Sequence, residues 1–398
     1  MSGPLKGIRI LDTTSLFPGP YGMRLLADYG AEVIKVEYKG KPDLSRYLPP
    51  FVKKGKKKKG KWSFFYHYLN RNKKNLSLNL RKPDGLKVFK ELTKISDAIV
   101  VQFRPGVVEK LGIDYESMKE INPKIIYCSI TGYGETGPYK YYPGHDLNYI
   151  SVAGLGSLNR KTSSDDPILP GLQLADIVGG GLYSVIAILM AIIARENTGK
   201  GQFIDMSMTD GAFSLLAMPL GQYLAGGEEW KPVIEEMTLT GGTPSYQIFK
   251  TKDEKFLAVG ALEPKFHNKL YKELSIDRNK LDKENVSIKD ALEKTFKTKT
   301  QSEWVEELID KDVCVTALHE IEEVPDNPQI RARNLIIEVE TGDGIVKQLG
   351  FPIKFSNTKP NTPTGAAMKI GEHSKEILRD LLGYSEEKIK SLKKKNVI

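Results

Sequence analysis

The spacing of apolar and polar positions changes several times along this 398-residue chain, and each change marks an element. Gly7 to Asp12 (GIRILD) and Ala31 to Glu37 (AEVIKVE) are short apolar runs, the pattern of strands buried on both faces of a sheet. Between them lies GPYGMRLLADYG, opened by Gly19-Pro20 and closed by Gly30, which predicts a helix. A long polar excursion follows. Pro83 then starts a helix (PDGLKVFKELTKIS), Ala98 to Gln102 reads as a strand, Gly106 to Leu111 as a helical turn and Lys124 to Ser129 as a further strand. Strands and helices alternating in this way predict an α/β fold with a Rossmann-like parallel sheet covered on both faces. No GxGxxG follows the first strand, so a nicotinamide or flavin dinucleotide is not indicated.

From His145 to about Leu224 the pattern is mainly helical, apart from a strand at GQFIDMSM. The longest apolar run, Leu182 to Ala194, is too short to span a bilayer and reads as a helix buried in the core. Gly226 to Gly242 has the mixed polarity of a linker, and SYQIFKTKDEKFLAVGAL then alternates as a hairpin before charged amphipathic helices. The predicted division is a large Rossmann-like domain over 1–225, a linker over 226–242, a smaller α+β domain over 243–333, and a segment 334–398 returning to the large domain. That last segment holds strand-like pieces (LIIEVE, GIVKQLG, PIKFS) and one final lysine-rich helix.

Composition changes this picture little; charge does so at one place. The formal charge of +9 invites a nucleic-acid reading, yet the run KKGKKKKGK from Lys53 to Lys61 supplies seven lysines and no acid, leaving the rest near balance. No aromatic interleaving or nucleic-acid module accompanies it, so neither nucleic acid nor membrane is expected as a partner. A solvated loop is the plain reading, and attraction of a small polyanion the functional one. Cys128 and Cys314 show no CxxC spacing, which points to a reduced, cytoplasmic compartment, without disulfide or metal cage.

Candidate chemistry gathers between Pro143 and Arg195. His145 and Asp176 each precede an apolar helical run, and a helix N-terminus favours a carboxylate and disfavours an imidazolium. Two bases near neutral pH in one cleft suit removal of a proton from one face of a carbon and its return to the other. Ala175 and Ile177 beside Asp176 predict a half-buried carboxylate, costly without a task or a partner. Backbone N–H groups at the start of the helix after Asp176 are the expected donors to a developing enolate oxygen. Asp146 reads as a cap for LNYISVAG, and Glu263, just before Pro264, could equally be a cap.

Several motifs, taken in order, resemble the family III CoA transferases along nearly the whole chain: LFPGPYGMRLLADYGAEVIKVE, LNRNKKNLSLNLRKPDG, VQFRPGVVEKLGID, PGHDLNY, LADIVGGGLYSVIAIL and GKGQFIDMSMTDGA. Within the family the likeness is greatest to the racemases that act on 2-methyl-branched acyl-CoA, because histidine stands at 145 where transferases typically carry another residue, often tyrosine. The resemblance implies His145 and Asp176 as the two acid/base residues, Glu263 orienting the imidazole, and no cofactor beyond the CoA carried by the substrate. It also implies an interlocked homodimer whose cleft combines the large domain of one subunit with the small domain of the other. Arg71, Lys73 and Lys74 in NRNKK and Arg104 in FRPG are the expected contacts of the CoA phosphates. Tyr38 stands where many relatives carry an arginine, leaving Lys39, Lys41 or the lysine run to substitute. The short loop at Gly241-Gly242 also fits a racemase, while Met218, Leu220 and Tyr223 are expected at an apolar acyl surface. The alternative within the family is a CoA transferase with Asp176 as nucleophile.

Overall fold

The computed structural model describes residues 3–53, 61–341 and 344–398; the lysines between residues 53 and 61 lie outside them. The chain divides into two compact units. The first comprises residues 1–156, 169–215 and 334–398, and the second 157–168 and 216–333. Unit one therefore ends at Leu215 instead of 225, the turn around Ser157–Ile168 joins unit two, and residues 226–242 are part of that unit, with short helical turns, instead of a linker.

Unit one is built on six parallel strands: β1 (Arg9–Asp12), β2 (Glu32–Glu37), β3 (Lys74–Ser77), β4 (Ala98–Val101), β5 (Ile126–Thr131) and β6 (Phe203–Ser207). Their spatial order is 3-2-1-4-5-6, the doubly wound arrangement in which the strand order reverses beside β1. Alternate side chains along each strand feed opposite faces. Ile10, Val33, Ala98 and Val100 meet Met23 and Leu26 of α1 (Pro18–Asp28) and Ile188 and Ala191 of α2 (Tyr183–Thr198). Leu11, Ile34, Leu76 and Ile99 meet Phe89, Met118, Ile377 and Leu378 on the other face. The C-terminal segment thus closes the sheet, as two helices, Ser374–Asp380 and Glu386–Lys394, where the sequence suggested one; Gly383, at φ 65°, turns the chain between them.

Strand β3 lies inside the stretch read as a polar excursion, because its residues, KNLS, include one apolar side chain and a lysine. The apolar run after Asp176 also differs from expectation. Ala175–Leu182 winds as a wide π-helix and continues into α2, giving 24 residues whose length and apolar character alone would suffice to cross a membrane. Here the segment is the crossover between β5 and β6, and such a helix covers the sheet with one stripe only. Ser184, Ile188 and Ala191 are buried, while Ile186, Met190 and Ile193 are 43, 65 and 62 % exposed. Half burial replaces the fully buried helix expected.

Unit two is a three-stranded antiparallel sheet of β7 (Tyr246–Lys250), β8 (Phe256–Gly260) and β9 (Val315–Ala317), with β8 central. Phe249, Leu257, Phe296 and Trp304 form its core with the helices that follow the hairpin.

Candidate active site

In unit one, a cavity of about 480 Å³ opens at the carboxyl ends of β4 and β5, beside the reversal of strand order. Open parallel sheets bind ligands at that edge, because loops there are free to differ while the strands stay fixed. Its lining includes Phe17, Arg104, Tyr133, His145, Tyr149 and Asp176. The two predicted acid/base residues, thirty-one positions apart, therefore face one space.

His145 sits at the N-cap of α3 (Asp146–Val152) in extended geometry, and its backbone N–H donates to Asn148 Oδ1 at 3.0 Å. The helix thus starts at Asp146, one residue earlier than expected, and Asp146 does not cap it. Its Oδ1 instead accepts the backbone N–H of Asp176 at 2.9 Å. Tyr149, one turn on, donates from its hydroxyl to the Gly144 carbonyl and tethers the chain just before His145. Its ring lies edge-on to Tyr133 at 5.1 Å, and burial raises its hydroxyl to about 12, with Asp176 adding to the effect.

Asp176 is half-buried in the first turn of the π-helical stretch. Burial, with the nearby Asp146 carboxylate adding, pushes its carboxyl group up to about 7. Glycines allow this close seating. A Cβ at Gly179 would stand 2.4 Å from the Met208 carbonyl oxygen, and one at Gly22 of α1 would stand 2.6 Å from that of Gly181. The N–H of Asp176 is consumed by Asp146 and that of Ile177 by the Gln173 carbonyl, so the expected oxyanion donors are not at this helix start. The N–H groups of Asp146 and Leu147, opening α3, have no protein acceptor among the described residues.

The basic residues separate into two kinds. Arg104 is exposed on the turn after β4, lines the cavity, and has no carboxylate partner among the described residues. Arg71, Lys73 and Lys74 line neither this cavity nor its neighbour, which corrects the expectation that they meet the CoA phosphates. Arg71 is fully buried, with its guanidinium on Asp28 at 2.8 Å and on the Leu349 carbonyl at 2.7 Å. Lys73 is buried against Asp12 at 2.9 Å, and burial lowers its ammonium group to about 8 although Asp12 opposes the shift. Lys74 bridges Glu32 and Glu376. The reason is pairing: the cationic heads of Arg71 and Lys73 are enclosed with Asp28 and Asp12, and that of Lys74 is held between two glutamates.

A second cavity, about 440 Å³, shares Gln102 and Phe103 with the first and runs over the carboxyl ends of β1, β2 and β3. It is lined by Tyr38, Lys41 and Arg81 among others. Arg81 was not singled out from sequence; it lies four residues past the end of β3, on the loop at the carboxyl edge of that strand.

Glu263 belongs to unit two, at the N-cap of α4 (Pro264–Glu273). It occupies the cap position with Pro264 following, as the cap reading had it, and its backbone carbonyl accepts from Phe266 and His267, while its exposed carboxylate makes no cap hydrogen bond and is left available. Met218, Leu220 and Tyr223 are also on unit two.

Residues 5–374 match the model of CoA-transferase family III. The chain belongs to that family. It is 33 % identical to human alpha-methylacyl-CoA racemase, covering 99 % of this chain and 97 % of the relative. It is also 33 % identical to human succinyl-CoA:glutarate CoA-transferase, covering 99 % and 90 %. A CaiB/BaiF family protein from Brucella suis superposes with a TM-score of 0.82 at 30 % identity, over 96 % of this chain and all of that one. A family III member is thus an enzyme of the CoA-transferase and racemase group acting on acyl-CoA.

Proposed function

We propose that the protein interconverts (R)- and (S)-2-methylacyl-CoA thioesters by 1,1-proton transfer through an enolate. The observation that carries this reading is the His145 imidazole on the same cavity, at the ligand edge of the sheet, as the Asp176 carboxyl group, which burial pushes up to about 7. One removes the alpha proton of one enantiomer while the other delivers a proton to the opposite face, and the roles exchange for the other enantiomer. The free N–H groups opening α3 suit the enolate oxygen, which needs fixed donors because an alpha proton beside a thioester is only weakly acidic. Arg104, Lys41 and Arg81, which have no carboxylate partner among the described residues, suit the CoA phosphates, and no cofactor beyond that CoA is required. Glu263 is assigned as partner of the imidazole, on the strength of a carboxylate not used by its own helix. A homodimer is supported by the apolar face that α2 leaves uncovered.

A CoA transferase with Asp176 as nucleophile is the second reading, favoured by the equal identity to the human transferase. Incubation with (S)-2-methylacyl-CoA in D₂O separates the two. Loss of optical purity with deuterium entering the alpha carbon, abolished by His145→Ala and Asp176→Asn, is expected. Transfer of labelled CoA to an added carboxylic acid without exchange overturns the racemase reading.

A further inference from the structure

Leu16 is the one large apolar residue among the described residues whose backbone lies in the left-handed region, at φ 63°. An L side chain is disfavoured there because its Cβ crowds the following carbonyl, and such strain persists only where surrounding groups hold it. Here those groups are buried charges. Asp43, on the loop after β2, accepts the N–H of Leu16 through Oδ1 at 3.1 Å, and the same oxygen accepts the N–H and hydroxyl of Ser45 at 2.9 and 2.7 Å. Its Oδ2 meets the ammonium group of Lys35 on β2 at 2.7 Å, and that group also donates to the Thr14 carbonyl at 2.8 Å. Both side chains are 1 % exposed. Under the same loop Lys73 donates to Asp12 and to the Pro20 carbonyl, while Asp12 accepts the N–H of Thr14. Four buried charges therefore grip one short loop.

Stability does not account for them, since apolar residues of similar size replace a buried ion pair at little or no loss. The bonds to Ser45 make Asp43 a cap for the turn Leu44–Tyr47, but the bond to Leu16, 27 positions away, has no part in that turn. What the loop does have is a place in the site. Thr13, Thr14 and Ser15 line the second cavity with Lys35 and Asp43, whereas Leu16, Phe17 and Pro18 line the first with His145 and Asp176. The loop is thus the partition between the two, and an acyl-CoA with its nucleotide in the second and its acyl group in the first must cross it. We propose that Asp43 is a positioning residue for the reaction, which holds Leu16 in its strained conformation, with Lys35 fixing the carboxylate, and so sets the wall that aligns the reacting carbon with His145 and Asp176. The inference rests on the acyl-CoA reading of the two cavities and holds for racemisation and CoA transfer alike. Reacting atoms must meet within about 3–3.5 Å, so a displaced wall lowers turnover more than affinity.

The test compares wild type with Asp43→Asn, which keeps an oxygen acceptor for the Leu16 N–H, and with Lys35→Met/Asp43→Ala, which removes both charges together so that neither is stranded. Crystal structures report Leu16 whatever the reaction proves to be. In the double variant Leu16 is expected at negative φ, and kcat for the acyl-CoA should fall about tenfold or more while KM stays within about threefold. In Asp43→Asn Leu16 should stay in place and kcat fall by less than about threefold, although the stranded Lys35 lowers the urea midpoint. Glycine takes a positive φ without being held, so in a Leu16→Gly background the same double change should lower kcat by less than about threefold. Leu16 remaining near its wild-type φ in the double variant overturns the proposal, as does an equal fall in kcat with leucine and with glycine at position 16. A fall in the urea midpoint with kcat unchanged in the double variant also overturns it and leaves the pair a purely structural role. If Leu16 moves and wild type transfers CoA between acids without racemising, the effect is read in that reaction: the proposal stands and the racemase reading fails.

Discussion

Arg71 and Arg104 show at the residue scale how one residue type serves two ends. Arg71 is enclosed with Asp28, and its removal empties a buried site, leaves Asp28 with Arg24 as its remaining cation and leaves the Leu349 carbonyl without its guanidinium donor. Arg71→Ala is therefore expected to lower stability by about 3–5 kcal/mol in denaturant unfolding. Arg104→Ala should leave stability within about 0.5 kcal/mol, since the side chain is exposed and unpaired, and raise KM for the acyl-CoA about tenfold or more, a charged hydrogen bond being worth about 1.5–3 kcal/mol. The converse pattern would reinstate Arg71 as a ligand. Asp176 gives a pH prediction. Its folded carboxyl group holds a proton up to about pH 7, whereas the unfolded one releases it near 3.8. Between those values the folded state binds more protons, so this group's contribution to stability falls as pH rises. Asp176→Asn should be more stable than wild type at pH 8, by an amount that shrinks towards pH 4; thermal melts at both values decide it. His145 and Asp176 were legible because each stood before an apolar helical run in a distinctive motif. Arg81 was not, because its place depends on a strand that carries little apolar signal.

Elements with a strong period were read to within three residues at either end: β1, α1, β2, the helix from Pro83 and β4 all lie where the pattern put them. What the pattern missed were elements specified by their neighbours. Strand β3 has only Leu76 as an apolar side chain, buried against the sheet's core cluster, so its strand character comes from pairing with β2. The π-helical turn after Asp176 depends on what adjoins its glycines, namely Met208, Pro18 and Tyr21. Wide turns of this kind occur often at functional sites, where they re-aim a side chain at some cost in hydrogen bonding. Gly179→Ala tests this: a methyl group 2.4 Å from the Met208 carbonyl forces the backbones apart. A loss of about 1–3 kcal/mol is expected together with a fall in turnover, because Asp176 moves with its helix. Unchanged turnover in a destabilised variant would show that the close seating serves stability alone.

At the scale of the whole molecule, the apolar surface of unit one asks for a cover. Ile186, Met190 and Ile193 recur at helical spacing on the outer side of α2, and Leu147 and Val152 on α3 are each 49 % exposed. A lone exposed leucine means nothing, but a sustained stripe on the crossover helix of a parallel sheet is unusual, since such helices ordinarily turn polar residues outward. A second copy is the occupant the family reading supplies, and isologous contact would cover the same stripe on both chains at once. Met190→Asp with Ile193→Asp should therefore convert a dimer to a monomer in sedimentation equilibrium. The helical content should be retained, because neither side chain contributes to the buried stripe formed by Ser184, Ile188 and Ala191. A doubly substituted protein that sediments as wild type does would show that this face lies outside any subunit contact. Loss of helical signal instead of loss of the partner would show that the stripe supports the fold of the chain itself.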